Sequence, residues 1–188
     1  MYICITNQNN KIMAKPEKYP KALIVIHWLT VILLAVIFYI GTTLEDYEFN
    51  EANMNRYRAH ALLGMLVMIL TIIRVIIKRK NIDNLPVEIT YYSEMHKNFV
   101  IAVQKLIYIL LLITPMVGFI MVYQTGALSY DLGGPFPEGA KFDETLETFH
   151  KIFVFALIGL AVIHVAGIFM YNFKNKDNLV KRMCSLMK

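Results

Sequence analysis

LETFHKIFVFALIGLAVIHVAGIFMYNF, residues 146–173, is one apolar run with two histidines set into it, His150 and His164. The run is too long for a strand and long enough to cross a membrane as a helix, which takes about 20 residues for a hydrocarbon core of about 30 Å. The histidines are fourteen residues apart. That is close to four helical turns, so both imidazoles point to one face, about 21 Å apart along the axis. An ionisable side chain inside a membrane span is costly, and its presence points to function.

Three more runs of the same kind precede it, at 22–42, 57–77 and 98–123. The 188 residues are 57% hydrophobic and only 18% charged, and the mean hydropathy is +0.49. Such a composition places the chain in the membrane class. The predicted fold is therefore all-α, a membrane four-helix bundle. A tail at 1–20 precedes the bundle at 21–174, and a second tail at 175–188 follows it. The first tail has no secretory apolar region with a small-residue cleavage site, so the first span reads as an uncleaved signal anchor. Pro115 lies inside the third run, where a membrane helix tolerates it and a local kink is expected. Cys4 and Cys184 stand alone, without a CxxC or CxxCH pattern. Neither a disulfide framework nor covalent haem attachment follows from them.

Charge distribution orients the spans. Thirteen Lys and Arg fall in the first tail, the loop after the second run and the last tail, against three in the other two loops: Arg56, Arg58 and Lys141. Nine of the fourteen acids lie on that second side. The positive-inside rule then predicts both termini in the cytoplasm and a multi-pass protein of the bacterial inner membrane. The positive charges flank apolar runs and form no basic patch among polar recognition residues. The expected partner is thus the lipid bilayer, not nucleic acid.

Orientation converts sequence position into depth. His27, early in an outward-running helix, lies near the inner face. His60, early in the inward-running second helix, lies near the outer face. His150 is outer and His164 inner on the fourth. Depth alone pairs His60 with His150 and His27 with His164. Two histidines from facing apolar helices suit a bis-imidazole haem b. Zinc commonly draws four ligands, and a di-iron carboxylate site needs repeated Glu-x-x-His pairs, of which Glu147 to His150 is one local spelling. Two stacked bis-histidine haem b sites are the expectation, with the irons on His27 and His164 inside and on His60 and His150 outside. Gly64, one turn after His60, either leaves room for a porphyrin or serves close helix packing. Arg74, fourteen residues after His60, falls at the inner level, as a partner for a haem propionate or as a snorkelling cation. Arg58 and Lys151 flank the outer ligands, Lys105 lies a little way into the third span, and His96 reads as interfacial.

These residues carry a resemblance. Four spans with His27 in IHWLT, His60 in AHALLG, His150 in FHK and His164 in IHVAG resemble the bacterial cytochrome b561 family over about residues 17–183. Arg74, Leu106-Ile107-Tyr108, Pro115-Met116-Val117-Gly118, Lys176-Asp177-Asn178 and Arg182-Met183 add to the likeness. The resemblance implies two haem b groups, with the same pairing that depth gives. It also implies electron transfer to membrane quinone in a respiratory chain, as in an oxidoreductase that oxidises superoxide and reduces ubiquinone. The alternative is a membrane-anchoring cytochrome b subunit that relays electrons for a partner dehydrogenase or hydrogenase. The chain departs from the family at Gln104 and at Phe169-Met170-Tyr171, where members often carry further histidines.

A fluorescent reporter fused to the C-terminus is expected to report from the cytoplasm. Signal only from a reporter that works after export would reverse the orientation.

Overall fold

The computed structural model describes residues 3–5, 13–16, 18–86, 93–175 and 179–184, with the backbone alone at 3–5, 13–15 and 175. The Lys176-Asp177-Asn178 motif, Lys11, Lys188 and much of the 1–20 tail lie outside the described residues. Within the described part of that tail, β1 (Ile3–Ile5) pairs antiparallel with β2 (Met13–Lys15). All other regular structure among the described residues is helical.

Four long helices dominate: α1 (Lys21–Leu44), α2 (Met54–Lys80), α3 (Glu94–Gln124) and α5 (Glu144–Asn175). All four are long and apolar enough to cross a membrane. In lipid the backbone polar groups must be satisfied within the segment, which makes each apolar run a helix. Every helix extends a few residues past its apolar run, and side chains cap the starts of α3 and α5. Ser93 Oγ accepts the His96 N–H at 3.1 Å, and Asp143 Oδ1 accepts the Leu146 N–H at 2.9 Å. Lys78, Arg79 and Lys80 fill the last turn of α2, where cations suit the helix dipole. The α3 helix runs unbroken through Pro115.

The loop before α5 holds a structure that hydropathy does not reveal. Gly126, at φ 76°, turns the chain out of α3 and into the short helix α4 (Ala127–Asp131). Only glycine takes that left-handed backbone without a steric penalty. The ring of Phe49 then packs against Tyr57, Phe136 and Phe142 at 5.3, 5.7 and 4.9 Å, closing this end of the bundle. At the other end the two tails meet. The Tyr19 N–H donates to the Arg182 carbonyl at 3.2 Å, and Trp28 Nε1 donates to the Met183 carbonyl at 2.7 Å. Both tails therefore lie on one side, as an even number of spans requires. The carbonyl of Met183 follows the short helix α6 (Leu179–Arg182).

Helix α1 packs on α2, α2 on α3, and α3 on α5. At mid-height all four meet through side chains. Val67, Leu111 and Leu157 form a buried cluster, with Leu33, Leu34, Ile37, Ile107 and Leu110 against it. Outside this layer the helices present large apolar side chains outward, such as Ile32 at 60% and Phe155 at 66% exposure. That is the surface expected to face acyl chains, since lipid gives a helix no reason to hide apolar groups.

Leu157→Ala is expected to lower stability by about 2–5 kcal/mol, because it opens a cavity in a layer shared by all four spans. Thermal unfolding in detergent measures it. An unchanged melting temperature would mean that the layer is not tightly packed.

Candidate haem-binding site

The candidate residues fall into levels set by a seven-residue step. His150, Leu157 and His164 follow one another at that spacing on α5, as do His60, Val67 and Arg74 on α2. The same step runs through His27, Leu34 and Gly41 on α1, and through Gln104, Leu111 and Gly118 on α3. Seven residues are nearly two turns, so each series stays on one helix face. The middle members, Leu34, Val67, Leu111 and Leu157, all belong to the apolar layer just described. It separates two levels, which take the names outer and inner from the orientation that loop charge predicts.

At the outer level the structure brings His60 and His150 together. Their ring centroids are 6.1 Å apart and their planes cross at 65°. Two imidazole nitrogens bound to one metal at about 2 Å each would put the centroids at about this distance. Both rings sit against glycine. A Cβ at Gly41 would come within 3.0 Å of His60 Cε1, and one at Gly118 within 3.3 Å of His150 Cε1. The Nδ1 atoms of His60 and His150 are buried without a hydrogen bond among the described residues. Such atoms are costly in an apolar interior unless something binds them.

The cations beside this pair are engaged by acids. Arg58 Nε donates to Asp131 Oδ1 at 3.0 Å, with Nη2 on the same oxygen, and Nη1 reaches Asn55 Oδ1 at 2.8 Å. Lys151 Nζ lies 2.8 Å from Glu45 Oε1 and 2.9 Å from Glu147 Oε1. Arg56 stacks over the Tyr47 ring at 3.9 Å. The Glu147-x-x-His150 spelling thus has its carboxylate on Lys151. No three His, Cys, Asp or Glu side chains converge among the described residues. Outside the spans, Tyr130 donates to Glu51 Oε1 at 2.9 Å, a hydrogen bond that holds its phenol above the usual range.

At the inner level, His27 lies within electrostatic reach of both His164 and Arg74. Trp28 meets the His27 ring edge-on at 5.5 Å. Arg74 is half-buried, and its hydrogen bonds decide its direction. Nε donates to the Tyr108 hydroxyl at 2.9 Å and Nη1 to the Leu23 carbonyl at 3.2 Å. It is therefore held inside the bundle, one turn from His27. Tyr108 also lines a cleft of about 430 Å³ between α2 and α3, with Val75, Lys78, Arg79, Ile82 and Lys105. Lys105 is exposed there. His96 lies in the first turn of α3, and a Cβ at Gly64 would meet Pro115 Cβ at 4.0 Å.

Gly41, Gly118 and Tyr108 are the residues to which sequence reasoning assigned no site role. The seven-residue step from His27 to Gly41, read on α1 as it was on α5, carries the signal for the first. Nothing in the sequence alone marks Tyr108 as the partner of Arg74.

The structure thus offers four apolar spans with one facing histidine pair, His60 and His150, and with His27 and His164 at a second level. The family profile for prokaryotic cytochrome b561 matches residues 18–185, and the chain belongs to that family. It is accordingly a bacterial membrane protein of cytochrome b electron transfer, and haem b is the cofactor its family binds. The donor set fits that group. The facing rings of His60 and His150, and the glycines that leave them space, suit ligation of a haem iron.

Tyr108→Phe is expected to cost about 1–2 kcal/mol, because it leaves one donor of a half-buried guanidinium without its acceptor. Thermal unfolding should show the loss, while Tyr123→Phe, at an exposed position, should leave the melting temperature unchanged. Equal behaviour of the two variants would mean that the Arg74–Tyr108 bond contributes nothing.

Proposed function

We propose that this chain conducts electrons across the bacterial inner membrane through two haem b groups and passes them to membrane quinone. His60 and His150 would hold the outer haem, and His27 and His164 the inner one. Haem b supplies one-electron redox chemistry at each level. The observation that carries the reading is the His60–His150 pair at one height, with His27 in reach of His164 and Arg74 at another. Arg74 contributes a fixed positive charge beside the inner pair and suits a propionate there. Gly64 lies on the His60 side of α2 and contributes space. Both termini would face the cytoplasm, given the charge excess on the side where the tails meet.

The cleft beside Tyr108 is the favoured quinone position. Its walls are mostly apolar, its rim carries Lys105 and Arg79, and Tyr108 connects it through Arg74 to the inner histidines. Reduction of a quinone to the quinol takes two electrons and two protons. Tyr108 and Lys105 are hydrogen-bond donors for the quinone oxygens, and the cytoplasmic side supplies the protons.

The donor is superoxide or a redox partner protein. Superoxide oxidation to dioxygen releases one electron per ion, so two ions would serve one quinone. The engaged outer cations favour the second reading. Arg56, Arg58 and Lys151 are each taken up within the protein, among an excess of acids that repels an anion. The chain would then anchor and relay for a partner dehydrogenase or hydrogenase.

Haem counting tests the core of the proposal. The purified chain should carry two haem b, and His60→Ala or His150→Ala should carry one, with the inner haem spectrum retained. One haem in the parent protein, or loss of both in either variant while the fold persists, would overturn the two-site reading. Mixing the purified chain with superoxide then separates the donors. Rapid haem reduction supports direct oxidation, and its absence together with co-purification of a soluble redox enzyme supports the relay.

A further inference from the structure

The two outer histidines are seated by the same device on different helices. Helix α1 offers Gly41 to His60, and helix α3 offers Gly118 to His150. Four residues before each glycine stands a backbone carbonyl, of Ile37 and of Thr114. The Ile37 and Thr114 carbonyls lie within polar reach of the His60 and His150 rings, whose Nδ1 atoms form no hydrogen bond among the described residues. The repetition follows from helix geometry. A helical Cβ leans toward the N-terminus, so the side chain at position i+4 covers the carbonyl at position i. With glycine there, the carbonyl is uncovered on that side. Its second lone pair, beyond the one used in the helix, is open to a neighbouring donor.

We propose that Gly41 and Gly118 are the positioning residues of the outer histidine pair, each uncovering a helix carbonyl that fixes the ring orientation of the imidazole packed on it. The inference rests on His60 and His150 being the outer haem ligands. A metal-bound histidine gains from a second-shell hydrogen bond at its other ring nitrogen, which sets both orientation and basicity. Here the backbone carbonyl would be that acceptor, and the absent side chain gives access to it. The two contacts are unequal. At 3.0 Å a Cβ on Gly41 would force His60 to move, whereas at 3.3 Å one on Gly118 would ask His150 for a few tenths of an ångström. Gly159 has nothing within 4 Å of its Cβ position and is the matched control.

The full-length protein, purified with its haem, is the sample. Electron paramagnetic resonance of the ferric state and redox titration read each haem separately. The parent protein should show two low-spin signals, and the outer one should be assigned by its loss in His60→Ala. Gly41→Ala should shift the g-values and midpoint potential of the outer haem, and Gly41→Val should abolish its signal. Gly118→Ala should shift the same signal by less. The inner signal should stay unchanged throughout, as should both signals in Gly159→Ala. Outer signals identical to the parent in Gly41→Ala, Gly41→Val and Gly118→Ala would overturn the inference while leaving haem ligation intact. Loss of both haems together would also overturn it, since a seat for one pair should not release the other. A parent protein without haem would overturn the ligand reading and this inference at once.

Discussion

A polar side chain placed within a bilayer must find a partner, and the bundle is organised around that constraint. Lipid neither hydrates an imidazole nor screens a guanidinium, so such groups persist in spans only where protein or cofactor receives them. Three ionisable groups of the spans turn inward. Arg74 reaches Tyr108 and the Leu23 carbonyl. His60 and His150 face one another. The outward faces carry Ile32, Phe155 and similar side chains that lipid accepts without cost.

The seven-residue step makes this compatible with a packed core. It places polar groups or glycines at two heights and hydrophobic groups between them on every span. Val67, Leu111 and Leu157, with Leu34 beside them, form a layer that excludes water between the two levels. The same layer separates the two sets of candidate ligands and holds the four helices in one register. A shift of one span along its axis would carry a histidine out of its level and a leucine into it. Axial register is therefore fixed by packing and by polar satisfaction together.

The ends of the bundle are handled differently. The acidic end is closed by rings from Phe49, Tyr57, Phe136 and Phe142 and by ion pairs from Arg58 and Lys151. Exposed ion pairs of this kind contribute little stability, about 1 kcal/mol or less each. Their larger effect is on the field near the outer histidines, where they cancel the positive charges that would attract an anion. The basic end is tied by backbone bonds between the tails, from Tyr19 to Arg182 and from Trp28 to Met183. It keeps its positive charge excess, and the Lys105 cleft opens there.

Membership of the spans, their alternating direction and the height of each histidine were legible in the sequence. Those properties are one-dimensional: length, hydropathy and about 1.5 Å of rise per residue determine them. The height match of His60 with His150 follows from the same arithmetic. Which helix stands beside which, and how each is turned about its axis, is not encoded locally. It depends on side chains from several spans packing at once. Only the tertiary structure could set Gly41 of α1 against His60, Gly118 of α3 against His150, Tyr108 on Arg74, and Gly64 beside Pro115. The sequence by itself determined a membrane four-helix bundle with polar groups at two depths. The tertiary structure decided their lateral neighbours, because rotation and helix order are settled by contacts between segments distant in the chain.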